Sequence, residues 1–154
     1  MKKKLMAMFM ALAVLVTGSF VIPVDVHAED VEEVVDISDI MTEDALIGYA
    51  TMQTRGVYLT QGTSVINDAG GGKIGVGGIT EAAIECQVSV NVVVERKVNG
   101  SWVRVTSWTA TKTNALTVGT GKEISVASGY WYRVRCTHRA STDVAYSCTS
   151  SLWM

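Results

Sequence analysis

His138 is the one histidine after residue 28, so any proton relay in the body of this 154-residue chain would have to use it. A Ser-His-Asp site needs a serine on a sharp turn, backed by the imidazole. Asp143 and the serines near it fall in a short loop segment with no nucleophile elbow, and His138 reads as a surface residue near a strand end. Cys136 and His138 are two apart on one strand face, which permits a thiol–imidazole contact. No third group stands where it would orient the ring. Cys86, Cys136, Cys148 and His138 form a Cys₃His set without C-x-x-C spacing, so no metal is expected. Only six acids follow residue 46, and Glu95 is opposed to an arginine, which leaves little for paired-carboxylate chemistry. Gly70-Gly71-Gly72-Lys73 lacks both the spacing and the Ser or Thr of a phosphate loop. The expectation is a chain that is not an enzyme and has no cofactor.

What remains is recognition. Trp102, Arg104, Trp108, Trp131, Arg133 and Arg135 are residue types that stack on sugars or peptide groups and grip anions. Their positions depend on the hairpin at Asn99-Gly100, a two-residue turn type that needs positive φ at both positions. That turn sets Val98 against Ser101, Lys97 against Trp102, Glu95 against Arg104 and Asn91 against Trp108. Val88, Val90, Val92, Val94 and Val98 then share one face at period two, which must be the core, with Val103 and Val105 inward beside them. Trp102 and Trp108 fall outside. Tyr130, Tyr132, Val134 and Cys136 likewise point in, and Trp131, Arg133 and Arg135 out. The competing reading is that Trp102 and Trp108 only cover the stems of Lys97 and Arg104 and stabilise the sheet.

The elements that carry these residues are strands. From about Gly56 the chain is rich in Val, Thr, Tyr, Trp and Ile, punctuated by glycines, with no amphipathic helix. Strands are predicted over 57–65, 73–80, 87–98, 101–111, 122–126, 130–138 and 145–152. Gly75, Gly77 and Gly78 mark the second as weak, bulged or at an edge. Seven strands at this spacing predict an all-β, immunoglobulin- or fibronectin-III-like antiparallel β-sandwich. Ser128-Gly129-Tyr130 has the form of the tyrosine corner of such sandwiches, and that fold makes the third and sixth strands neighbours.

The remaining sequence is organised around export. Lys2, Lys3 and Lys4 precede an apolar run from Leu5, Pro23 breaks it, and Val26-His27-Ala28 suits cleavage after Ala28. Residues 1–28 are therefore expected to be a signal peptide, 29–54 an acidic leader or linker and 55–154 the β-sandwich domain, with secretion into the extracellular space and no membrane span after cleavage. No cysteine near the cleavage point offers a lipid acceptor, and the C-terminus ends without a hydrophobic tail. Ten bases and fourteen acids follow Ala28, a net of −4. Eight of those acids and no base lie in 29–46, so the rest carries +4. The leader is read as a solvated linker, with two alternatives: a segment that docks on the basic domain and masks it, or a propeptide. Charged residues at 18% and apolar ones at 48% exclude general disorder. The small positive excess makes nucleic acid a poor partner.

Gln61-Gly62-Thr63-Ser64, Glu95-Arg96-Lys97-Val98-Asn99-Gly100-Ser101-Trp102, Ser107-Trp108-Thr109-Ala110-Thr111 and Gly129-Tyr130-Trp131-Tyr132-Arg133-Val134-Arg135 resemble a family of small secreted proteins of clostridial Firmicutes, a domain of unknown function. The resemblance covers about residues 55–154. It implies an exported β-sandwich with no catalytic residues, and cysteines at positions like Cys86 and Cys148, with a small residue more usual at Cys136. Export favours oxidation. Of three pairings, Cys86–Cys148 is expected, Cys136–Cys148 is the alternative, and one thiol stays free. The functional expectation is a binding module for a glycan or cell-envelope component. The alternatives are a small effector, toxin or bacteriocin-like protein, and a self-associating structural protein.

Overall fold

In the computed structural model, residues 33–52 and 56–154 are described. The expected signal peptide lies outside them, as do the first residues of the leader. The fold is almost entirely antiparallel β-sheet. Its strands are β1 (Glu33–Val35), β2 (Leu46–Tyr49), β3 (Thr51–Met52), β4 (Leu59–Gly70), β5 (Lys73–Val98), β6 (Ser101–Ser125), β7 (Trp131–Ala140), β8 (Asp143–Cys148) and β9 (Leu152–Trp153), with one short helix, α1 (Ile37–Ile40).

Four of the seven predicted strands are halves of two. Residues 73–80 and 87–98 belong to the continuous β5, and 101–111 and 122–126 to β6. Both strands bend where their pairing breaks register, between Glu81 and Val88 on β5, opposite the left-handed Asn114 of β6. Before the bend β5 pairs with β4, and after it with β7. The first leaf of the sheet thus runs β2–β4–β5–β6–β1 and the second β6–β5–β7–β8–β3. The leaves face each other. A Cβ on Gly62 would lie 2.4 Å from the His138 ring and one on Gly78 2.7 Å from Cys136 Sγ, although neither pair is joined in the sheet. Asp143 on β8 likewise accepts from the backbone N–H groups of Tyr58 and Leu59, at 2.6 and 3.0 Å. Between the leaves lie Val88, Val90, Val92 and Val94 with Ile66, Ile74, Val76 and Val134, all sealed from solvent. Each such side chain contributes roughly 1.5–3 kcal/mol relative to exposure.

The hairpin register agrees with the sequence as far as Glu95↔Arg104 and then departs from it. Asn99 and Gly100 both take positive φ, 49° and 82°. Val105 is an extra residue in β6, so Val94 faces Thr106, Val92 faces Trp108 and Asn91 faces Thr109 rather than Trp108. A bulge of this kind inverts every side chain beyond it relative to regular alternation. Val105 is 43% exposed instead of inward. Val103 is 50% exposed as well, on the same side of the hairpin tip as its partner Arg96, which stacks 4.5 Å over Tyr130. Trp108 turns to the inner side and packs against the core.

The tyrosine hydroxyl that bonds back to the chain upstream belongs to Tyr132 rather than Tyr130. Tyr132 is buried, and its hydroxyl donates to the Ala127 carbonyl at 2.8 Å, five residues upstream.

The described part of the acidic leader is built into the sheet. β1 pairs with β6 on one edge of the first leaf, β2 pairs with β4 on the other, and α1 crosses the outer face between them. Asp36 caps α1 by accepting from the Ser38 N–H. Ile37 and Ile40 seat on a floor of glycines. A Cβ at Gly77 would stand 2.2 Å from Ile37 Cδ1, and one at Gly121 2.5 Å from Ile40 Cδ1. Of the glycines in the second predicted strand, Gly77 is thus space cleared for the leader and Gly75 for Asn67 and Ile40, whereas Gly78 faces the interior against Cys136. Asn67 fastens the strap, donating to the Ile40 carbonyl at 3.0 Å and accepting from Gly75 N–H at 3.1 Å.

Candidate functional site

Strand register places Lys97 and Glu95 of β5, Trp102 and Arg104 of β6, and Trp131, Arg133 and Arg135 of β7 on the outer face of the second leaf. Arg104, Glu95 and Arg133 form one row across three strands. Glu95 is nonetheless only 8% exposed. Its carboxylate accepts from Arg133 Nε at 2.7 Å and from Arg135 Nη1 at 3.2 Å, not from the facing Arg104. The Arg133 guanidinium also lies 4.1 Å from the centre of the Trp102 ring, so it is held between an indole and a carboxylate. Lys97 Nζ approaches the same ring at 5.7 Å. Such fixed guanidinium groups lose little freedom when they meet a ligand.

Trp131 is paired in the sheet with Trp153 of β9, and their rings meet edge to face at 5.2 Å. They are 44% and 54% exposed. Trp153 was not legible as a site residue, because the last predicted strand stops at residue 152. The rejoining of β9 to β7 after a short break brings it in, tied by the Met154 N–H donating to the Tyr130 carbonyl at 3.1 Å. Trp108 does not join this face. Its indole N–H donates to Thr120 Oγ1 at 3.0 Å, and Lys122 Nζ lies 4.8 Å from its ring. The two tryptophans after the turn therefore project to opposite sides, and the outward set is Trp102, Trp131 and Trp153 with Arg104, Arg133 and Arg135.

The cysteines are all free, which corrects the Cys86–Cys148 bridge. Cys86 sits at the bend of β5, and Cys148 lies two strands across on β8. Strand spacing alone separates them by about 9.6 Å, beyond the Cα reach of a disulfide. Cys136 and Cys148 are on adjacent strands, but Cys136 pairs with Ser147, so Cys148 points to the opposite face.

His138 is not a surface residue. It is sealed between the leaves, with Nδ1 2.8 Å from Thr80 Oγ1 and Nε2 2.8 Å from Ser147 Oγ. The Thr80 hydroxyl donates its proton to the Ser89 carbonyl at 3.0 Å. Nδ1 must therefore carry the hydrogen, leaving Nε2 to accept from Ser147. Burial lowers the imidazole pKa to about 4, so the ring is neutral. A serine hydroxyl on a neutral imidazole is nucleophile geometry, but the Gly62 backbone lies against the ring and no substrate reaches it. Asp143 is spent on Tyr58 and Leu59 instead of orienting the ring. Burial pushes the Cys136 thiol up, which makes it a poor nucleophile. Among the described residues no His, Cys, Asp and Glu cluster suits a metal, and no helix is long and apolar enough to cross a membrane.

No family model matches the chain, and no curated protein matches it. Among solved structures, the solution structure of R. palustris CsgH is similar over 53% of this chain and 83% of its own, at 15% identity and a TM-score of 0.36.

Proposed function

We propose that this chain is an exported, non-catalytic binding module that engages a glycan or cell-envelope component through the outer face of its second leaf. The observation that carries the reading is the pair of exposed, edge-packed indoles of Trp131 and Trp153 beside Trp102, whose ring is fixed under Arg133. Clustered aromatics next to immobilised guanidinium groups form a preorganised contact surface, unlike scattered exposed apolar residues. Export rests on the basic, apolar and small-residue pattern of residues 1–28. Kinship with the clostridial family rests on the hairpin and Gly129–Arg135 motifs. The immunoglobulin-like reading is supported by the pairing of β5 with β7 and by the Tyr132 corner, although here both leaves belong to one hydrogen-bonded sheet.

The test is a glycan array with the purified chain, followed by indole fluorescence titration of each hit. A bound glycan is expected to shift the emission, and Trp131→Ala is expected to weaken binding about tenfold, as stacked aromatics do at interfaces. Binding that survives both Trp131→Ala and Trp153→Ala would remove this face from consideration.

A further inference from the structure

Granted that the outer face of the second leaf binds a glycan, we infer that the glycan is a polyanion, held along β7 by guanidinium–carboxylate pairs while its sugar rings stack at the Trp131–Trp153 end. Register directs Lys97, Arg104, Arg133, Arg135 and Arg139 to that face, with Glu95 as the one acid among them. Glu95 is paired with Arg133 and Arg135, so its charge is offset toward an incoming anion. The +4 balance of the chain after residue 46 is matched on this one face. The opposite outer face carries the acidic strap with Asp36, Asp39, Glu43 and Asp44. Lys112 lies beside Asp36 on the strap side and Lys73 is paired with Glu123 there, so it is the net excess of charge that differs in sign between the two sides, and a face of one net sign attracts ligands of the other.

The cations also form a line. Trp131, Arg133, Arg135 and Arg139 project from one side of β7, with Thr137 between the last two. At about 3.3 Å per residue the track from Trp131 to Arg139 spans roughly 26 Å. That length suits an extended chain with repeated charges better than a single small anion. Arg133 is committed to Trp102 and Glu95, Arg135 is paired with Glu95 through one nitrogen but keeps a 55% exposed side chain, and Arg104 and Arg139 are exposed. These guanidinium groups present planar donor forks that match carboxylate or phosphate oxygens. A second copy offering its acidic strap is the competing occupant, but it would leave the exposed indoles without a ring to stack on.

The experiment titrates the full chain with polygalacturonate, dextran and polyacrylate, reading indole fluorescence at low and at physiological salt. Polygalacturonate is expected to bind at least about tenfold more tightly than dextran and than polyacrylate, and to weaken with salt. Replacing Arg104 and Arg139, both exposed, together by Gln is expected to weaken it about fivefold per arginine with Tm unchanged. Dextran binding as tightly as polygalacturonate would overturn the polyanion claim and leave the glycan face standing. Polyacrylate binding as tightly as polygalacturonate would reduce the face to a charge patch and overturn the inference. Silence toward every glycan, charged or neutral, would sink the binding reading itself. Salt-sensitive dimers by light scattering, lost in the double Gln variant and indifferent to polygalacturonate, would assign the face to a second copy and overturn the inference.

Discussion

Acid should unfold this protein through His138. The imidazole is sealed from solvent, and burial lowers its pKa from 6.5 to about 4. Between those values the unfolded chain binds a proton that the folded chain refuses, so stability rises with pH across the window. The contribution is fully present above the unfolded value and is lost as the pH falls toward the folded one. The gap is worth roughly 3 kcal/mol by about pH 4, a large fraction of the 5–15 kcal/mol typical of whole domains. His138→Gln is the matched control. Its amide can donate to Thr80 and accept from Ser147, preserving both hydrogen bonds while removing the titration. Urea midpoints measured at several pH values between about 7 and 4 would then show a steep fall for the natural chain and a shallower one for the variant. The difference between the two curves isolates the imidazole from the carboxylates, which titrate in both. Parallel curves, or a His138 ring proton titrating by NMR near 6.5, would refute the reasoning.

Three further outcomes are expected. Gly77→Ala puts a Cβ against Ile37 and against the Thr120 carbonyl oxygen, at 2.2 and 2.5 Å, so it should cost about 1–3 kcal/mol and expose residues 33–46 to protease; unchanged Tm and unchanged cleavage would show that the strap does not need the glycine floor. Glu95→Gln leaves the half-buried Arg133 without its carboxylate and should cost about 2 kcal/mol, read as a drop in denaturant midpoint with an unchanged slope. A midpoint within error of the natural chain would place Arg133 under Trp102 alone. The third concerns the thiols: in the native protein the exposed Cys148 should react with a thiol reagent and the buried Cys136 only on unfolding, with no mass change on reduction. A mass gain on reduction would restore a disulfide.

Alternation along 88–94 and 130–136, with the Asn-Gly turn, was sufficient to assign the core valines, the outward Arg133 and Arg135, and the register to Glu95. One inserted residue defeated the rest. Val105 has no local signature as a bulge, since a valine alternates as well in either register, and so Trp108 crossed to the interior. The glycines at 75 and 77 were legible as weak strand, yet their purpose lies some 40 residues upstream, in Ile37 and Ile40. Likewise His138 reads from its neighbours as a strand-end surface residue, and nothing local shows that β4 packs over it from the other leaf.

By itself, the amino-acid order determined what alternates and what turns: strand content, the hairpin, the charge division between leader and body, and the lack of spacing for metal or phosphate chemistry. Those properties depend on neighbours within a few residues, where backbone sterics and the two-residue period act directly. Tertiary structure alone decided which leaf covers which face. It buried His138, kept the three cysteines apart, turned the acidic leader into a strap and brought Trp153 beside Trp131. Each of these requires segments distant in sequence to meet, and no local propensity encodes where a long strand bends.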